Sequence, residues 1–333
     1  MHRTVALTVV AGLVALARAE DPKPPAAPPP LELVQTIPLP GVRGRIDHFA
    51  LDAKRKRLFV AALGNGSVEV VDLEKGERAK QITGLEEPQG IAYLPESDRL
   101  VVACGGDGSV RFYDGEKFEA TVKVELGADA DNVRYDAATQ RLYVGFGDGA
   151  IGVISAKKTA SVGQADVSTH PEAFAIETAG RRIFVNAQGA AEVAVVDRFD
   201  MTVKARWPLG GARANFPMAL DEAAKRLFVG CRAPASVVML STEDGRVLSK
   251  TACSDDPDDV FVDAKRSRVY VSCGAGKVDV FERPDADHLK LLANVETRHG
   301  ARTALYDAAS DRLYVAVPVS GDKGAEIRIY APH

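Results

Sequence analysis

Much of this sequence is defined by what it lacks. Tryptophan occurs once, at Trp207, and methionine and cysteine four times each in 333 residues. Beyond the first twenty residues no window is long and uncharged enough to span a bilayer. No segment carries the sustained 3.6-residue apolar stripe of an amphipathic helix. Basic residues do not dominate: 42 Lys and Arg stand against 46 Asp and Glu, a formal charge of −4. That balance, with no basic arm, argues against a protein that coats nucleic acid or an anionic membrane. There is no Gly-x-Ser-x-Gly nucleophile elbow, no Cys-x-x-Cys-His haem attachment site and no His-x-x-x-His metal pair. "SDDPDD" (254–259) lacks the spaced acidic pattern of a calcium loop, and the glycine turns "GGDGS" and "GNGSV" precede no helix that would make them phosphate loops.

The chain begins with a short basic stretch, an apolar run from Val5 to Leu16 and then Ala17-Arg18-Ala19. This small-x-small ending predicts a signal peptide over residues 1–19, and with it a periplasmic or secreted bacterial protein with no membrane span after cleavage. Maturation at Glu20 would change the formal charge from −4 to −6. "EDPKPPAAPPP" (20–30) has almost nothing to bury and reads as a Pro-rich tether. Cys104, Cys231 and Cys273 occupy the same place in successive repeats, so they read as small core residues with free thiols. Cys253–Cys273 is the one pair that invites a disulfide.

What is present is a repeat. Aligned on the arginine that opens a short apolar run, seven copies begin at Arg57, Arg99, Arg141, Arg182, Arg226, Arg268 and Arg312, spaced 42, 42, 41, 44, 42 and 44 residues apart. A constant period of this size indicates propeller blades or helical arrays, and strand chemistry decides for blades. Each run ("RLFV", "RIFV", "RVYV") leads into a glycine turn, read as a two-residue hairpin at Asn65-Gly66, Asp107-Gly108 and Asp148-Gly149, and then an alternating strand such as "VEVVD". An aspartate five residues before the arginine, at Asp52, Asp136, Asp221, Asp263 and Asp307, is placed to start a tight turn. Units one to six end in an outer strand. The seventh lacks one, while an orphan strand, Leu31 to Leu39, precedes the first unit. The expectation is an all-β, seven-bladed propeller over residues 31–333, four antiparallel strands per blade, closed by residues 31–39 pairing with the last blade.

Strands such as "RVYVSCGAG", "RIFVNAQG" and "RLFVAALGNGSVEVVDLEKG" resemble the YVTN-type (YncE-like) seven-bladed propeller repeat over about residues 31–331. The chain departs from the literal Tyr-Val-Thr-Asn, and its single tryptophan argues against the WD-repeat class. The resemblance implies an exported single-domain propeller that binds a partner or small ligand. It implies little about chemistry, since similar propellers carry quinone-linked dehydrogenase, haem d1 or lactonase sites.

In a propeller the loops leading into the inner strands meet on one face around the channel. Here they supply Arg45, Asp47, His48, Asp131, Asn132, His170, Glu172, Asn215, Asp258, Asp259, His299 and Arg302 as candidate ligand-binding residues. His48, His170 and His299 all map to this face. One reading is a non-enzymatic, monomeric propeller that binds a protein partner or a small anionic ligand there. A second is a metal-dependent or histidine-based hydrolase or lyase, lactonase-like. In it the three histidines, with Asp131, Glu172 or Asp258, could hold a divalent metal, or His48 or His170 beside Glu172 could act as catalytic base with Arg45 and Arg302 holding an anionic substrate. A third is a noncovalent redox-cofactor propeller, for which these loops offer only one aromatic residue, Phe216.

Overall fold

The computed structural model describes residues 1–2, 4–6, 8, 28–147 and 149–333. Most of the expected leader and tether, and Asp148 of the third hairpin turn, lie outside the described residues. Among those described, 28 strands form seven four-stranded sheets, with two short 3-10 turns and no helix long and apolar enough to cross a membrane. Blade one runs Phe49–Asp52, Arg57–Ala62, Ser67–Asp72 and Glu77–Thr83, paired in that order. The next five blades repeat it. The seventh combines Ala304–Asp307, Arg312–Val317 and Glu326–Pro332 with Leu31–Pro38. The seven-bladed ring with an N-terminal closing strand is thus as the repeat arithmetic predicts. The closing register runs from Leu31 opposite Pro332 to Pro38 opposite Glu326.

Burial explains the text of each strand. The second strands are buried almost throughout, as in Arg57–Ala62, because neighbouring blades cover both their faces. They therefore read as continuous apolar runs. Outer strands such as Thr202–Pro208 alternate between solvent and the next blade. The repeated arginine ties blades together. Arg57 donates to the Asp52 carboxylate at 2.7 Å and to the Gly115 carbonyl of blade two at 2.8 Å. Arg99, Arg182 and Arg226 likewise reach carbonyls two strands into the following blade, at Ala156, Thr242 and Ala286. Arg268 holds the carbonyls of Pro30 and His333 and so clasps the closing blade.

The turn aspartates act as expected: Asp52, Asp221 and Asp263 each accept a backbone N–H three residues on. The hairpin turns are longer than two residues. Residues 63–66 include a 3-10 turn, Leu63–Asn65, and Gly66 closes it with φ +62°. Residues 105–108 end the same way on Gly108 at φ +66°. The left-handed residue falls where the sequence puts its glycine, but the loop is wider because three residues rather than one turn before it. All four cysteines are free thiols, Cys104, Cys231 and Cys273 in blade cores and Cys253 half-buried. The Cys273 thiol donates to the Val271 carbonyl at 3.7 Å.

Candidate functional site

The loops between one blade's outer strand and the next blade's inner strand surround a cavity of about 250 Å³ at one mouth of the central channel. Arg45, Asp47 and His48 enter from blade one, Asp131 and Asn132 from blade three, and His170 and Glu172 from blade four. Asp258 and Asp259 come from blade six and Arg302 from the loop into blade seven. Two predicted residues are elsewhere. His299 is exposed on its loop and does not line the cavity, so the three histidines do not converge. The loop 298–302 turns at Gly300, with φ +83°, and sends Arg302 rather than His299 inward. Asn215 is fully buried between blades four and five, where its amide donates to Asn186 and to the Glu192 carbonyl, both at 3.1 Å. It is a packing residue.

Charge is unevenly spent. Six carboxylates line the cavity against three arginines, and each arginine is already engaged. Arg45 pairs with Asp47. Arg232 binds Asp258 and, at 2.9 Å, Asp256, while Arg302 approaches Asp256 at 3.0 Å and Asp258 at 3.3 Å. Arg232 also covers the face of Phe216, its guanidinium 3.4 Å from the ring centroid. Arg45 and Arg302 therefore meet a ligand as members of ion pairs rather than as free cations.

A second cluster comes from the loops into blades three and four. Asp131, His170 and Glu172 each offer a ligand atom, all within 4.8 Å of one another. Asp131 is 7% exposed, and its Oδ1 has no hydrogen-bond partner. Asn132 Oδ1 beside it has none either. Such orphaned buried oxygens are costly unless something fills the gap. His170 Nδ1 is 2.8 Å from the Gly147 carbonyl and 3.5 Å from Asp129 Oδ2, so Nδ1 carries a proton and Nε2 is the nitrogen that a metal could take. A backbone acceptor behind an imidazole is the usual support of a metal-binding histidine. His48 is nearby, with Nε2 3.9 Å from Asp131 Oδ1 and 3.5 Å from Asp47 Oδ1.

Burial and mutual repulsion set the protonation states. Burial, then the Asp47 and Glu172 charges, pushes Asp131 well above the usual carboxylate range. Burial raises Glu172 from 4.5 to about 7, and raises Asp258 to about 6 against the pull of Arg232 and Arg302. Asp259 is raised by burial although its Oδ2 accepts the Ala304 N–H at 2.8 Å. Burial lowers His48, so its imidazole is neutral. The cluster thus holds protons that a divalent cation would displace.

Three lining residues escaped the sequence reading. Gln89 and Asp129 sit in the loops into blades two and three, and the Gln89 amide donates to Asp129 at 3.1 Å. Arg232 lies at the far end of an apolar strand, where only its break from the "RLFVGC" pattern marks it. Gly90 has a positioning role: a Cβ there would stand 2.0 Å from the Asp131 carbonyl oxygen, so the blade-two inner strand passes tightly behind the Asp131 loop.

No known family's sequence profile matches this chain, and no curated protein sequence does. Solved structures do match in shape. A chain of Kuenenia stuttgartiensis hydrazine synthase superposes with a TM-score of 0.73 at 16% identity, covering 84% of this chain and 95% of that one. A chain of a mitotic checkpoint complex superposes with a TM-score of 0.76 at 13% identity, covering 97% and 99%. At such identities the likeness is one of fold: this is a seven-bladed β-propeller.

Proposed function

We propose that this protein is an exported propeller of the YVTN type whose channel mouth binds a divalent cation through Asp131, His170 and Glu172, and a small anionic ligand on that cation. The carrying observation is the orphaned Asp131 Oδ1 among three ligand atoms within 4.8 Å, with His170 oriented by the Gly147 carbonyl. One nitrogen and two carboxylate donors suit a first-row divalent ion such as Zn²⁺ or Mn²⁺ and leave coordination positions toward the cavity. The ion-paired arginines would then contact the outer groups of the anion. Isothermal titration of the metal-stripped mature chain with Zn²⁺ should show one site, with protons released on binding. His170→Ala and Glu172→Gln should each weaken it at least tenfold. Absence of binding in the unaltered chain, or undiminished binding in both variants, would refute the site.

A hydrolase or lyase reading has one observation in its favour. The neutral imidazole of His48 stands 3.9 Å from Asp131, near enough to take a proton from a group held at the cation. If lactone or ester turnover occurs, His48→Ala should abolish it while leaving the metal stoichiometry intact. Turnover unaffected by His48→Ala would refute this role for His48. A stacked redox cofactor is less well supported, because Arg232 covers the mouth's one aromatic ring.

A further inference from the structure

Below the mouth the channel widens into a second cavity of about 510 Å³, within the range of small-molecule sites. His48 and Asp259 line both spaces and so mark the boundary between them. The walls of the lower cavity come from the inner strands and mix apolar side chains, Phe49, Ile91, Met218, Phe261 and Leu305, with the polar groups of His48, Tyr135, Asp259 and Tyr306. One side chain breaks the repeat pattern. Arg134, in the middle of the blade-three inner strand, lines the cavity at the position occupied in the other six repeats by Ala50, Ala92, Ala175, Ala219, Phe261 and Leu305.

A guanidinium carries five N–H donors. Among the described residues Arg134 makes one hydrogen bond, from Nη1 to the carbonyl of its own neighbour Val133 at 2.9 Å, and no ion pair. Its remaining nearby contact is the Phe174 ring, 5.7 Å from the guanidinium carbon. Of the acids that act on it, Asp259 lines both cavities and Asp131 the mouth alone, and neither forms an ion pair with it. Arg134 is half-buried, and a cation partly withdrawn from water with an idle donor fork gains from an anion that completes it. Packing between blades gives no reason for the charge, since six repeats manage the same position with an apolar residue.

From this we infer that the lower channel is a binding site for a small apolar monocarboxylate. Its carboxylate pairs with the Arg134 fork, and its hydrocarbon body lies along Phe49, Phe261 and Leu305. The geometry of the fork matches a carboxylate bidentately, and the apolar side chains within the mixed wall favour a hydrocarbon body over a bare inorganic anion. This site uses none of the metal-binding side chains of the mouth, so it stands or falls separately from the cation.

The probe is octanoate, titrated calorimetrically into the mature chain in EDTA so that no metal contributes. One equivalent should bind. Arg134→Met should weaken binding at least tenfold, and Arg134→Lys should retain part of it. Ala219→Leu narrows the channel without altering charge, and should also weaken binding while leaving Zn²⁺ binding at the mouth unchanged. That pair of readings on a folded variant guards against simple misfolding of the Arg134 substitutions. Chloride at the same concentration should not compete. The inference is overturned if octanoate does not bind, if a folded Arg134→Met chain binds it equally well, or if chloride displaces it at equal concentration.

Discussion

At the scale of single residues, Glu172 carries the sharpest consequence of the mouth's electrostatics. Its carboxyl is raised from 4.5 to about 7, so between those values the folded chain holds a proton that the unfolded chain has released. Stability contributed by this group is therefore present at low pH and lost as pH climbs from 4.5 toward 7. Glu172→Gln removes that dependence. Melting temperatures of the metal-free variant and the parent should converge near pH 4.5 and separate by pH 7.5, the variant being the more stable. Parallel curves across this range would show that Glu172 is not perturbed as the geometry implies. Adding Zn²⁺ should reverse the order at pH 7.5, because only the parent gains from ligation. The residues that compose this cluster were legible as a set in the sequence, since Asp131, His170 and Glu172 all fall in loops facing the channel. Their selection from a dozen polar candidates was not. It depends on how the loop at Gly300 turns His299 outward, and on the tight passage of Gly90 behind Asp131, neither of which follows from a repeat alignment.

At the scale of the blade, the repeated arginine explains why the motif starts with a cation rather than with another apolar residue. Arg57 spans from its own turn at Asp52 to the Gly115 carbonyl of the next blade, in a setting that is mostly shielded from water. Arg57→Met keeps the aliphatic stem but leaves the Asp52 carboxylate short of a partner. The expected loss is about 2 kcal/mol, as for removal of hydrogen bonds to a charged group, read as a lowered denaturation midpoint with unchanged slope. No change in midpoint would contradict the clasp. The strand order within a blade was readable because both signals, buried apolar runs and alternating outer strands, are local. The turn geometry was less so: glycine marks the left-handed residue, but the number of residues before it depends on the separation of the two strands it joins. Arg134 shows the other limit of the repeat. The alignment exposes it as an exception, yet only the ring turns this position of an inner strand into the wall of a common cavity.

At the scale of the whole molecule, closure holds the seven sheets in register with one another. The strand Leu31–Pro38 buries Leu31 and Ile37 and pairs along its length with Glu326–Pro332. Removing residues 1–38 exposes those side chains' partners and an unpaired strand edge. The expected cost is about 5 kcal/mol, from two large apolar side chains and the broken ladder. A thermal midpoint within a degree of the parent would sink the closing-strand account. This architecture was the most legible feature of the sequence, because seven copies at nearly constant spacing, six outer strands and one orphan strand admit few arrangements. The ring also creates the site, since Asp131, His170 and Glu172 belong to adjacent blades and meet only when the sheets stand side by side. The most direct measurement is pulsed electron paramagnetic resonance of Mn²⁺ added at one equivalent to a chain of residues 20–333. The account predicts a bound ion with nitrogen modulation from one imidazole, lost in His170→Gln. A spectrum of free aqueous Mn²⁺ in the parent, or nitrogen coupling that survives in His170→Gln, would contradict it.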